Sequence, residues 1–82
     1  MRILKTFYMI VGVDSDNPND SWLIELCDEG VNGTKNYAFA QIFHTEEEAT
    51  ECLDWLKTNY ADALSKIINI DTAIVKPFNL TF

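Results

Sequence analysis

"VNGT", residues 31–34, is the stretch on which the reading of this chain turns. An Asn-Gly pair is the strongest short hairpin signal, because a type I′ turn needs positive φ at both central residues. Taken as a two-residue turn, Asn32-Gly33 sets Val31 opposite Thr34. The flanking runs "SWLIELCDE" (21–29) and "KNYAFAQIF" (35–43) become its two arms. In that register Leu26 faces Phe39, Ile24 faces Gln41 and Trp22 faces Phe43 on a bulky side. Cys27 then faces Ala38, Glu25 faces Ala40 and Leu23 faces Ile42 on a smaller, still mostly apolar side.

Upstream, "ILKTFYMIVGV" (3–13) is rich in β-branched and aromatic residues and stops at a turn cluster, which predicts a strand. Downstream, Thr45-Glu46-Glu47-Glu48 reads as a capping box, with three carboxylates at the positive end of a helix dipole. Apolar residues at 49, 52, 53, 56, 60, 63, 64 and 67 keep the spacing of one helical face, so a single helix is predicted, ending at Asn69. "IDTAIVKPF" (70–78) supplies the last strand, which Pro77 either confines to a sheet edge or breaks before "NLTF" (79–82). The order β-β-β-α-β predicts one α+β domain over residues 1–82, a four-stranded, mostly antiparallel sheet with one helix packed on one face. A right-handed helical crossover places the last strand beside and parallel to the first, in the order 3-2-1-4.

One helix covers one face only. The predicted core joins Trp22, Ile24, Leu26, Phe39 and Phe43 to Leu53, Leu56 and Leu64 of the helix. The first strand is apolar on both sides, Phe7, Met9 and Val11 alternating with Leu4, Tyr8 and Ile10. Leu4, Tyr8, Ile10, Leu23, Ala38 and Ile42 would therefore form an open apolar patch larger than a monomer usually leaves in water. A second copy on a two-fold axis, or another partner, is expected to cover it.

With 48% hydrophobic residues, including two Trp, three Tyr and five Phe, the 82-residue chain has enough apolar material to fold. Thirteen acids against six bases give a net charge of −7, which repels nucleic acid and anionic membrane and steers basic partners in. Arg2 and Lys5 before a short apolar run resemble a secretion signal only briefly, since no small-residue cleavage pattern follows and Asp14 and Asp16 come at once. No apolar run approaches the ~20 residues of a membrane span. The chain reads as soluble and cytoplasmic, and Cys27 and Cys52, which have no metal-site spacing, as two buried reduced thiols.

Chemistry is sparse. In "DSDNPND" (14–20), Asp14, Asp16, Asp20 and the later Glu25 fall at positions one, three, seven and twelve of a calcium loop. Pro18 and Asn19 then occupy the places of a ligand and of the turn glycine, and both flanks read as strands, so the stretch reads as a turn. His44 is the only histidine, and no nucleophile–base set or glycine-rich phosphate cradle accompanies it. No enzyme, cofactor or metal site is expected.

The acids remain. Glu47, Glu51, Asp54 and Asp62 recur at roughly helical spacing, with Asp62–Lys66 the one good i,i+4 pair. With Asp14, Asp16 and Asp20 they are the candidate partner-binding surface, which Asp28 and Glu29 in a loop would help make continuous, imitating the phosphate charge that nucleic-acid-binding proteins recognise. The expectation is a small acidic inhibitor of a basic nuclease or nucleic-acid-binding protein, of anti-CRISPR, anti-restriction or toxin-immunity type, with no direct contact to nucleic acid. The alternative is an accessory homodimer joined through the open sheet face. A third reading, a small-molecule site between helix and sheet, would use Trp22, Phe39 and Trp55, which are more simply core.

Overall fold

Alternating β-branched and aromatic residues build β1 (Leu4–Val13), β2 (Ser21–Cys27) and β4 (Ile74–Thr81), with a shorter β3 (Gly30–Thr34). These elements belong to a computed structural model that describes residues 3–81, so Arg2 and Phe82 lie outside it. Helices α1 (Glu46–Asn59) and α2 (Ala61–Ser65) lead through a 3₁₀ turn at Ile70–Thr72 into β4. The sheet order is β3-β2-β1-β4, so the last strand does lie beside the first. It is antiparallel to β1, however, as every neighbour in the sheet is. The predicted parallel crossover fails because the chain leaves the helices at the far end of β1. Ile68 bridges Asp14, the Asn69 N–H donates to the Val13 carbonyl at 2.8 Å, and the Val13 N–H donates to Thr72 Oγ1 at 2.9 Å. A strand starting there at Ile74, opposite Val11, must run back against β1.

The hairpin turn is not at Asn32-Gly33. Asp28 and Glu29 make it, with Cys27 opposite Gly30 and Leu26 opposite Val31. Gly30 is the only described residue with positive φ, at +134°. Asn32 and Gly33 are therefore extended, and a type I′ turn is excluded. Gly33 serves a close approach instead: a Cβ there would lie 2.6 Å from Ile67 Cγ2 and 3.2 Å from the Trp22 ring.

Residues 35–43 consequently are not the third strand. Residues 35–40 cross the face of the sheet away from the helices, where Ala40 is buried with Met9 and Leu23 and the Tyr37 ring lies edge-on to Phe78 at 5.2 Å. Residues 41–43 then enter the sheet between β1 and β2. The ladder of those two strands stops at Val11–Leu23, and beyond it the Gln41 N–H donates to the Ile24 carbonyl at 3.0 Å. Tyr8 and Phe43 exchange both of their backbone hydrogen bonds at 2.9 Å. The insertion satisfies strand groups that diverging neighbours would otherwise leave unpaired.

Thr45 caps α1, its Oγ1 accepting the Glu48 N–H at 3.1 Å, while the Glu48 side chain stays exposed. The predicted single helix breaks at Tyr60, whose φ and ψ are −130° and 29°. Just before the break, Thr58 Oγ1 donates to the Asp54 carbonyl and Asn59 Nδ2 to that of Trp55, side-chain bonds that compete with helix continuation.

Ile10, Ile24, Leu53, Leu56, Leu64, Ile68 and Ala73 form the main core, with Trp22, Leu26, Val31 and Phe43 packed against it. Phe39, predicted inside, is 62% exposed, because it rides on the crossing segment and not on a strand arm. The six residues of the predicted open patch do not share a face. Ile10 belongs to the helix-side core, Leu23 to the opposite cluster, Tyr8 is half-buried, and Leu4, Ala38 and Ile42 are exposed. Much of the second face is covered by the chain's own residues 35–40 and Phe78.

Candidate functional site

The 14–20 loop is fixed by its own carboxylates. Asp14 Oδ1 accepts the N–H groups of Asp16 and Asn17 at 2.8 and 3.0 Å, and Oδ2 accepts the Trp22 indole N–H at 2.5 Å. The Asp14 N–H closes the loop on the Asp20 carbonyl at 2.9 Å. Asp20 in turn accepts the Ser21 N–H and pairs with Lys35, whose ammonium also meets the Ser21 carbonyl. That ammonium lies 4.2 Å from the centre of a Trp22 ring. The indole donor, with the loop N–H groups, holds the Asp14 carboxyl below its ordinary range, and Lys35 does the same for Asp20. These two acids are committed to internal donors. Among the described residues no three His, Cys, Asp or Glu side chains converge as a metal site.

The helical acids have a different setting. Ala49, Leu53 and Leu56 bury one side of α1, and at 100° per residue Glu47, Glu51 and Asp54 project from the opposite side. All three are exposed, as are Asp16 in the loop and Asp62 on α2. The predicted Asp62–Lys66 pair is not among the ion pairs of the described residues; both side chains stand exposed at the short helix α2. Lys35–Asp20 is the one ion pair among the described residues. The seven candidate acids are not one cluster. The loop stands at the start of β2, whereas the C-terminal end of α1 adjoins the β2–β3 turn, ~20 Å away along a seven-residue strand. Asp62 follows α1 on the helix that leads back toward the loop.

His44 is exposed and packs its ring at 5.5 Å from that of Phe7. Both cysteines are free, but they are not both buried as expected: Cys27 is exposed because it ends β2 at the hairpin turn, and Cys52 is half-buried, where burial pushes its thiol pKa up. Lys35 escaped the sequence reading altogether, because its partners Asp20 and Trp22 meet it only through the tertiary fold. Trp55, expected inside, is 52% exposed; its place off the 49-52-53-56 face is the available signal. No helix among the described residues is long and apolar enough to cross a membrane. Compared with protein-family models, curated proteins and solved structures, the chain matches none of them.

Proposed function

We propose that this protein is a small acidic inhibitor that binds a basic, nucleic-acid-handling protein and occludes its nucleic-acid site, in the manner of an anti-CRISPR, anti-restriction or toxin-immunity protein. The observation that carries the reading is the outward side of α1, where Glu47, Glu51 and Asp54 stand exposed without a cationic partner among the described residues. Exposed like charges on one rigid helix lose little solvation when free and find compensation in a partner's lysines and arginines. The three glutamates at 46–48 add charge at the end where the helix dipole tolerates it.

The test takes a basic nuclease or nucleic-acid-binding protein encoded beside this chain and follows association at two ionic strengths. Association should slow as salt rises, and the triple variant Glu47→Lys, Glu51→Lys, Asp54→Lys should slow it strongly at low salt. Binding that ignores both salt and the reversal would overturn the reading. A second reading, self-association, is favoured by one observation: Tyr37 and Phe39 remain exposed on the segment that crosses the sheet, and Ile42 on the inserted segment that follows it. Light scattering of the Phe39→Asp variant across concentration separates it from the first.

A further inference from the structure

A groove of about 270 Å³ lies between the β2–β3 turn and the end of α1, lined by Leu26, Leu56, Trp55, Tyr60, Asp28 and Glu29 among others. The break in the helix makes it. In an unbroken helix, residues five apart point about 140° away from each other. Here Tyr60 leaves helical geometry, and its ring meets that of Trp55 with centroids 5.1 Å apart and planes inclined at 49°. The two rings form an open wedge, 52% and 39% exposed. Aromatic residues left in water at the rim of a groove are typical of binding surfaces. Asp28 and Glu29, both exposed and without an ion-pair partner among the described residues, bring negative charge to the same groove. No lysine or arginine lines it.

The chain contains a filled version of this arrangement. At Trp22, the Lys35 ammonium sits over the indole and is held by the Asp20 carboxylate. Indole face, carboxylate and cation are all present there, whereas the groove at Trp55 has the first two components and lacks the third. We infer that the groove seats an arginine side chain of the basic partner, the guanidinium lying over the Trp55 ring and facing Asp28 and Glu29. The inference rests on the proposed reading of a basic protein partner and names the contact that would anchor it. Arginine fits better than lysine because a planar guanidinium stacks on an indole while its edge donates to carboxylates.

The test uses ¹⁵N-labelled protein and a hexa-arginine peptide, with the uncharged hexa-citrulline peptide as control. The Trp55 indole signal, identified by its loss in Trp55→Phe, and the amides of residues 28 and 29 should shift together and saturate. The Trp22 indole should stay still, and citrulline should cause no shift. Trp55→Ala should weaken the arginine peptide by about tenfold, the scale of one desolvated cation–π contact. Asp28→Asn with Glu29→Gln, which alters only the exposed turn, should weaken it as well.

If the amides of 47–54 shift while the Trp55 indole does not, and Trp55→Ala binds like the parent, the groove is overturned and the helix surface stands. Groove shifts that survive the triple helix reversal undiminished support the groove and remove the helix face as the centre of binding. No shift at millimolar peptide overturns the groove, and the partner experiment at two ionic strengths then judges the acidic surface by itself.

Discussion

Ile68 occupies the space that a side chain on Gly12 would need: a Cβ there would lie 2.4 Å from Ile68 Cδ1 and 2.8 Å from its Cβ. Gly33 receives Ile67 in the same way. Two glycines on the sheet thus admit two consecutive isoleucines after α2, which docks the chain at the far end of β1 and sets the direction of β4. Gly12→Ala should destabilise the fold by ~1–3 kcal/mol through overpacking. Combined with Ile68→Ala it should cost less than the sum of the two single changes. Urea midpoints of the four proteins measure this, and strict additivity would mean that the two residues do not meet.

The position of the core separates two residues that the sequence placed together. Leu56 is wholly buried, so Leu56→Ala should cost ~2–5 kcal/mol from lost burial and the cavity left behind. Phe39 stands in solvent, and Phe39→Ala should change stability by no more than ~0.5 kcal/mol. Equal losses in chemical denaturation would restore the hairpin in which Phe39 faces Leu26.

Stability should depend on the loop carboxylates at low pH. Asp14 and Asp20 have folded pKa values below the ordinary 3.8, so folding favours their ionised forms. Their contribution is fully present above the unfolded value and is lost as pH falls through the lowered one. Unfolding midpoints at pH 6 and pH 3 should fall less in the double variant Asp14→Asn, Asp20→Asn than in the parent. An identical drop would place the acid sensitivity elsewhere.

The two thiols should react at different rates. Cys27 is exposed, whereas burial raises the pKa of the half-buried Cys52 and lowers its thiolate fraction. A thiol reagent at pH 8 should modify Cys27 first, and Cys27→Ser should abolish the fast phase. A fast phase that persists in that variant would show that α1 opens readily.

Pro77 should protect a sheet edge. It lies opposite Tyr8, whose N–H and carbonyl both engage Phe43 on the other side of β1. The Pro77 nitrogen therefore faces the free edge of β4, where it withholds a donor from any added strand. Pro77→Val should leave the fold intact and raise strand-mediated self-association, read as a greater concentration dependence in light scattering.

Much of the fold was legible because its signals are local. The Thr45 cap, the 49-53-56 face and the strand composition of 4–13 and 21–27 each express themselves within a few residues. The neighbouring of β1, β2 and β3 also followed, since consecutive strands tend to pair, whereas β4 reaches its place beside β1 by an antiparallel return and not by the expected parallel crossover. The Asp14 loop was legible as a turn for the same reason, its carboxylate reaching amides two and three residues on. Asn32-Gly33 misled because its glycine is required by Ile67, 34 positions later, and not by a turn. One displaced turn then moved Phe39 out of the core and residues 41–43 into a gap between strands.

The sequence by itself determined an acidic α+β chain with four strands, a capped helix after the third and a final strand at an edge. Periodicity, capping and charge are properties of neighbouring residues, and they survive whatever the rest of the chain does. Only the tertiary structure decided the hairpin register, the direction of β4 and the wedge of Trp55 and Tyr60. Each depends on where distant side chains fit: Ile67 and Ile68 against glycines, residues 41–43 between diverging strands, Tyr60 beyond a helix break. Packing of that kind is settled by the shape of the assembled core, which no local pattern contains.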